Sequence, residues 1–356
     1  MYSLVATPIC LKWIYILLGI DQISTSGCLK LAYLPYYCLF IYLFINYNII
    51  NQFSNDGILV YVDLITNYQN VLFVVVYYSS FWKRKDKLKF QLNLIKKLNP
   101  NFHTQENWIR LTLIGLFLLN VAFVPFLLSP PQVVFYIYYY ALIIHIFDCL
   151  FLNDVLNPIL DKFKTINLQL QRQVKSIDPT LFLTRNNSKR VKFLEEDDIN
   201  SLMNIIHQLS LHHYELVQIS QNVTKNFEIT TLVASLLWFK NMIETVYYLL
   251  FVMVNGTDRP IVHYGCNITF LVLHLYWLFV VVRIYVRVKN EANQSASYIH
   301  EIWNKYAVKR VVDRKIRFLQ LIVVQFYATK LNFTAFDVVS LDWSFCQMVR
   351  NSFEAE

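Results

Sequence analysis

Glycine is scarce in this chain, with six in 356 residues. A loop that cradles phosphate on backbone N–H groups needs several glycines close together, so a glycine-rich nucleotide loop is nearly excluded. No GxxxxGK, HExxH or GxSxG pattern occurs either. P-loop, zinc-protease and serine-hydrolase arrangements therefore have no support, and no catalytic residue, cofactor or metal is expected. The six cysteines, Cys10, Cys28, Cys38, Cys149, Cys266 and Cys346, are scattered without a CxxC pair. That spacing suggests neither a disulfide framework nor a metal knuckle. Charge is also thin, at 16% of residues. The opening residues 1–20 are modestly apolar and run into Asp21 without a small-residue cleavage site. They read as a cytoplasmic or membrane-hugging lead-in rather than a cleaved leader.

What is present is apolar and aromatic: 56% hydrophobic residues, with 27 Phe and 24 Tyr. Long uninterrupted apolar runs are the signature of membrane helices. Six stretches qualify by eye: 31–49, 58–78, 109–128, 133–151, one within 227–254, and 268–286. The expected fold is an all-α polytopic membrane protein. Basic residues set its orientation. Residues 82–101 carry Lys83, Arg84, Lys85, Lys87, Lys89, Lys96 and Lys97, whereas the turn between the third and fourth stretches has no Lys or Arg. This alternation predicts a cytoplasmic N terminus, short outer loops and long inner loops at the cell membrane. The formal charge of +8 then reports inner loops rather than nucleic-acid binding.

The expected layout is an N-terminal segment 1–30, a bundle 31–286 with a long inner loop 155–226, an inner helical segment 287–349, and a polar tail 350–356. Within 155–226, helical apolar spacing predicts extensions of the flanking helices, separated by LTRNNSKR. FLQLIVVQFYA is too short to span and reads as a helix packed under a bilayer. The sequon Asn255-Gly256-Thr257 falls in an expected outer loop and is the candidate glycosylation site.

Polar residues inside apolar stretches carry the most functional information, because buried charge in lipid is costly unless paired or hydrated. His145 and Asp148 are three apart in the fourth stretch; Lys240 and Glu244 are four apart in the fifth, a pairing distance on a helix. Two readings stand: these pairs brace a bundle, or they line a hydrated cavity. The aromatics Tyr136, Tyr138, Tyr139, Tyr140, Trp238, Tyr247, Tyr248, Tyr276 and Trp277, with His274, form the second set. Phenol and indole groups join apolar area to one directed hydrogen bond, which suits small, moderately polar organic ligands. The same residues would also serve as packing and interface anchors. His145, Trp238, Glu244, His274 and Trp277 are the candidate ligand contacts. Lys309, Arg310, Arg314 and Arg317 are candidates for a basic inner surface. His207 and the adjacent His212-His213 give little support for metal, since neighbours on a helix point apart.

The C-terminal run YIHEIWNKYAVKRVVDRKIRFLQLIVVQFYATKLNFTAFDVVSLDWSFCQMV resembles the insect gustatory receptor family, part of the insect chemoreceptor class. Gln325, Phe333-Thr334-Ala335 and Leu341-Asp342 match the family's pattern, while Ala335-Phe336-Asp337 lacks the glycine often found there. The resemblance implies a chemoreceptor-like helical bundle and a receptor for small-molecule tastants. It also implies assembly as a homo- or hetero-tetrameric, ligand-gated cation channel in contact with membrane lipid, without nucleic acid. It further implies a seventh, pore-lining helix ending in a Thr-Tyr…Gln-Phe signature. The residues after Asp342, ending SFCQMVRNSFEAE, do not supply one, so a subunit not conducting alone is expected.

The alternative is a secondary membrane transporter, whose mark would be internal repeats and helices broken by Gly or Pro at matching positions. Glycine scarcity opposes it. A membrane-embedded enzyme should show a His or Asp cluster at one depth. A G-protein-coupled receptor should have an outer N terminus, which the lysine-rich segment 82–101 opposes.

Overall fold

The computed structural model describes residues 133–176, 189–254, 261–307, 314–335 and 339–340, with isolated positions between 75 and 116. Its elements are α1 (Val133–Ser176), α2 (Lys189–Val254), α3 (Ile261–Ala307), α4 (Arg314–Ala328), β1 (Thr334–Ala335) and β2 (Val339–Ser340). The strands pair antiparallel, Thr334 opposite Ser340 and Ala335 opposite Val339. The described fold is thus all-α apart from one minimal hairpin.

The expectation of a polytopic, multi-pass chain is corrected. Among the described residues one helix, Asn267–Lys305, is long and apolar enough to cross a membrane. The first three apolar stretches, 31–49, 58–78 and 109–128, lie outside the described residues save for isolated positions. The fourth and fifth stretches are helical, with Asp148 inside the fourth and Lys240, Asn241 and Glu244 inside the fifth. Ionised and carboxamide groups cost several times what a single leucine gains in hydrocarbon. The multi-pass placement at the cell membrane falls with the count, and the N terminus lies outside the described residues.

The helices divide into two compact units, each sharing α1, α2 and α3. Unit 1 takes α1 through Asp154, α2 from Lys225, and α3 through Val282. Unit 2 takes Val155–Thr224 and everything from Arg283 onward. On α1 the division falls one turn before Pro158. Proline has no N–H for the carbonyl four residues back, here that of Asp154, so the helix ladder is weakest at that turn.

Unit 2 is a four-helix core with helical periodicity throughout. Leu156, Ile159, Phe163, Leu170 and Val174 of α1 are buried, as are Ile206, Leu209, Leu216 and Val223 of α2. Tyr285, Val288, Ala292, Ala296, Ile299 and Ile302 do the same for α3. The short α4 buries Leu319, Ile322, Val323 and Phe326, an i, i+3, i+4, i+7 stripe. The region 155–226, expected as an inner loop, is helical from Val155 to Ser176 and from Lys189 onward. FLQLIVVQFYA forms most of α4.

Unit 1 packs Ile146, Cys149, Leu150 and Phe151 of α1 with Phe227, Leu237 and Trp238 of α2 and Leu273, Trp277 and Val281 of α3. Phe151 meets Phe227 with ring centroids 5.9 Å apart. The opposite faces stay apolar: Leu236, Ile243, Tyr247 and Leu250 of α2, and Ile268, Val272, Leu275 and Phe279 of α3, are all exposed in the described chain.

Candidate functional site

The most chemically distinctive place in unit 1 is where α2 and α3 share polar groups inside an apolar core. Trp238 and Asn241 are three apart on the buried face of α2, and Thr245 follows one turn later. On α3 the buried face carries His274 and Trp277. The Trp238 indole N–H donates to the His274 carbonyl oxygen at 2.7 Å. A carbonyl inside a helix already receives its own ladder bond, so this is a second bond on its other lone pair.

The His274 side chain is held on both sides. Its Nδ1 lies 2.9 Å from the Phe270 carbonyl oxygen, one turn back. A carbonyl only accepts, so Nδ1 carries the proton and Nε2 presents a lone pair. Asn241 Nδ2 faces that lone pair at 3.5 Å, a long bond. The Phe270 ring packs against the imidazole with centroids 4.1 Å apart. The imidazole is thereby fixed in position and tautomer.

Of the sequence candidates, Trp238 and His274 are brought into direct contact. Trp277 is buried one turn along α3 from His274. Glu244 is elsewhere on the helix surface: it pairs with Lys240 at 2.7 Å, with both side chains partly exposed. His145 is on α1, and its side chain lies outside the described residues, as do those of Tyr136, Tyr138, Tyr139 and Tyr140. Tyr247 is turned outward at 68% exposure, away from any buried pocket. The sequon Asn255 lies outside the described residues.

Asn241 was missed by sequence reasoning. It stands between Lys240 and Glu244, whose charges drew attention, yet it is the more buried group. Its spacing of three from Trp238 was the available signal.

Unit 2 holds a separate polar network. The Asn167 amide donates to the Glu291 carbonyl oxygen at 2.8 Å and to the Glu291 carboxylate at 2.9 Å. Its oxygen accepts from Ser295 Oγ at 2.6 Å. His213 is buried, with Nε2 at 2.9 Å from the Ala292 carbonyl oxygen. Its ring sits 5.4 Å from that of Phe163 and 4.3 Å from that of Phe326, so α1, α2, α3 and α4 meet on one imidazole. Burial pushes the His213 pKa down to about 4, although the Ala292 hydrogen bond pulls the other way. His207 and His212, by contrast, are exposed, and among the described residues no group of three His, Cys, Asp or Glu could hold a metal.

Asn293 clamps the chain after α4. Its amide donates to the Leu331 carbonyl oxygen at 3.1 Å and its oxygen accepts from the Leu331 N–H at 2.9 Å. Both edges of the carboxamide are thus committed to backbone.

Residues 23–349 match the family model described as 7tm Chemosensory receptor. The chain belongs to that family. The match covers most of the sequence, extending well beyond the C-terminal run that resembled the gustatory receptors. No curated protein matches the chain. A chemosensory receptor binds small molecules and responds to them; membership implies a receptor role rather than a catalytic one.

Proposed function

We propose that this chemosensory receptor takes a small organic tastant in unit 1, against Trp238, His274 and Trp277. The observation that carries the reading is the Trp238–His274–Asn241 knot: the buried Trp238 indole bonds the His274 backbone carbonyl and the buried Asn241 amide faces the His274 ring, within an otherwise apolar core. Such groups fix the orientation of a ligand, while the surrounding apolar area supplies affinity. Binding then biases the α2–α3 packing between two arrangements, which requires a different affinity for each. Following the family resemblance, the receptor works as a subunit of a homo- or hetero-tetrameric, ligand-gated cation channel.

The test is co-expression with candidate partner subunits and recording of cation current against a panel of small tastants. A ligand-evoked current that Trp238→Ala abolishes, with surface expression retained, supports the reading. Current indifferent to Trp238→Ala and His274→Ala sinks it.

A further inference from the structure

Asn241 is buried, and its carboxamide oxygen has no hydrogen-bond partner. Buried acceptors are nearly always satisfied, and one left open is costly in the folded chain. The amide is also not free to turn over. His274 Nδ1 is committed to the Phe270 carbonyl, which leaves Nε2 as an acceptor facing Asn241. The amide must therefore present its NH₂ to the imidazole, and its oxygen points away from it. The indole of Trp238, one turn earlier on the same face, is likewise committed, to the His274 carbonyl. Of these three side chains, Asn241 alone retains an unused hydrogen-bonding atom.

We infer that Asn241 is the specificity-determining residue of the unit 1 site, and that its oxygen selects ligands carrying a hydrogen-bond donor, a hydroxyl or an ammonium group on an apolar body. The inference rests on the pocket reading above and adds the ligand class to it. A ligand with only ether or carbonyl oxygens leaves the acceptor open and places two lone pairs against each other. Sites built to pair with a donor reject the analogue lacking it far more strongly than an apolar pocket rejects a missing methylene.

The test uses the full chain in detergent micelles, with 2-phenylethanol and its methyl ether as a matched pair, read by isothermal titration. The wild type is expected to bind the alcohol about tenfold tighter than the ether, a difference of about 1.4 kcal/mol. Asn241→Leu, similar in volume without an acceptor, is expected to bind both at the ether's affinity. Asn241→Asp keeps an acceptor and is expected to keep the preference. Should Asn241→Leu lose its helical circular dichroism, Asn241→Ala carries the same comparison. A preference that survives loss of the acceptor, or no preference in the wild type, overturns the role of Asn241 while leaving the pocket standing. Failure of both probes to bind, or binding unchanged by Trp238→Phe and Trp277→Ala, overturns the pocket itself.

Discussion

The two units solve the same problem differently. In unit 1, hydroxyls fold back on their own helices: Thr230 on the Phe227 carbonyl, Ser235 on Thr231, Thr245 on Asn241 and Thr269 on Gly265, all between 2.7 and 2.9 Å. Two bonds between its helices meet at His274. In unit 2, hydroxyls fold back as well, Ser210 on His207, Ser220 on Leu216 and Thr224 on Ser220, but other polar groups reach across: Asn167 to Glu291 and Ser295, His213 to Ala292, Asn293 to Leu331, and Lys305 to the Val174 carbonyl. Self-bonded hydroxyls let apolar faces slide or repack without breaking a hydrogen bond. Cross-helix bonds do not, because each register shift strands a buried donor or acceptor. Among the described residues, the cross-helix bonds of unit 2 tie its helices to one register more firmly than the described part of unit 1 is tied.

That contrast can be broken most forcefully at Trp238. Trp238→Ala removes the largest buried polar-tipped side chain of the α2–α3 knot and should cost about 4 kcal/mol of stability, the range for buried tryptophan truncation. Thermal unfolding in detergent measures it, and a loss under about 1 kcal/mol would mean unit 1 repacks freely even there.

The next effect belongs to unit 2 and to pH. The folded-state pKa of His213 lies near 4, below its usual 6.5. Between those values the unfolded chain binds the extra proton, so stability is full above about 6.5 and is lost as pH falls toward 4. The loss should be on the order of 3 kcal/mol. His213→Phe should flatten this part of the stability–pH curve. Identical curves for the two proteins would mean that the imidazole titrates normally.

A sharper comparison pairs one substitution in each unit. Asn167→Leu strands Glu291 and Ser295 together and should cost about 2 kcal/mol. Thr245→Val removes a hydroxyl bonded to its own helix and should cost less than about 1 kcal/mol. Equal costs in chemical denaturation would erase the distinction between the units. Smallest of all is Lys240→Ala, which opens a partly exposed ion pair and should shift stability by at most about 0.5 kcal/mol.

Much of the helical architecture was legible in the spacing of apolar residues. The stripe Leu319, Ile322, Val323, Phe326 in α4 is a helix on sight, and Lys240 with Glu244 could be paired from their separation alone. The crossing count was not legible in the same way. Run length by itself does not weigh Asp148, Lys240 and Glu244 against the apolar residues around them. Nor could the polar networks be read. Asn167 and Ser295 are 128 residues apart, and nothing local to either announces the other. Asn293 and Ser295 are two apart, and the Asn293 carboxamide pairs with both backbone groups of Leu331 on the far side of α4.

That clamp also makes a clock. The residues between α4 and β1 form no helix or strand, so most of their amide protons have no regular partner to slow exchange with solvent. The Leu331 N–H does, because it is tied to Asn293 on another helix. In heavy water it should stay protonated after its neighbours have turned to deuterium, and its rate of replacement would time how often α3 lets go of the chain that follows α4.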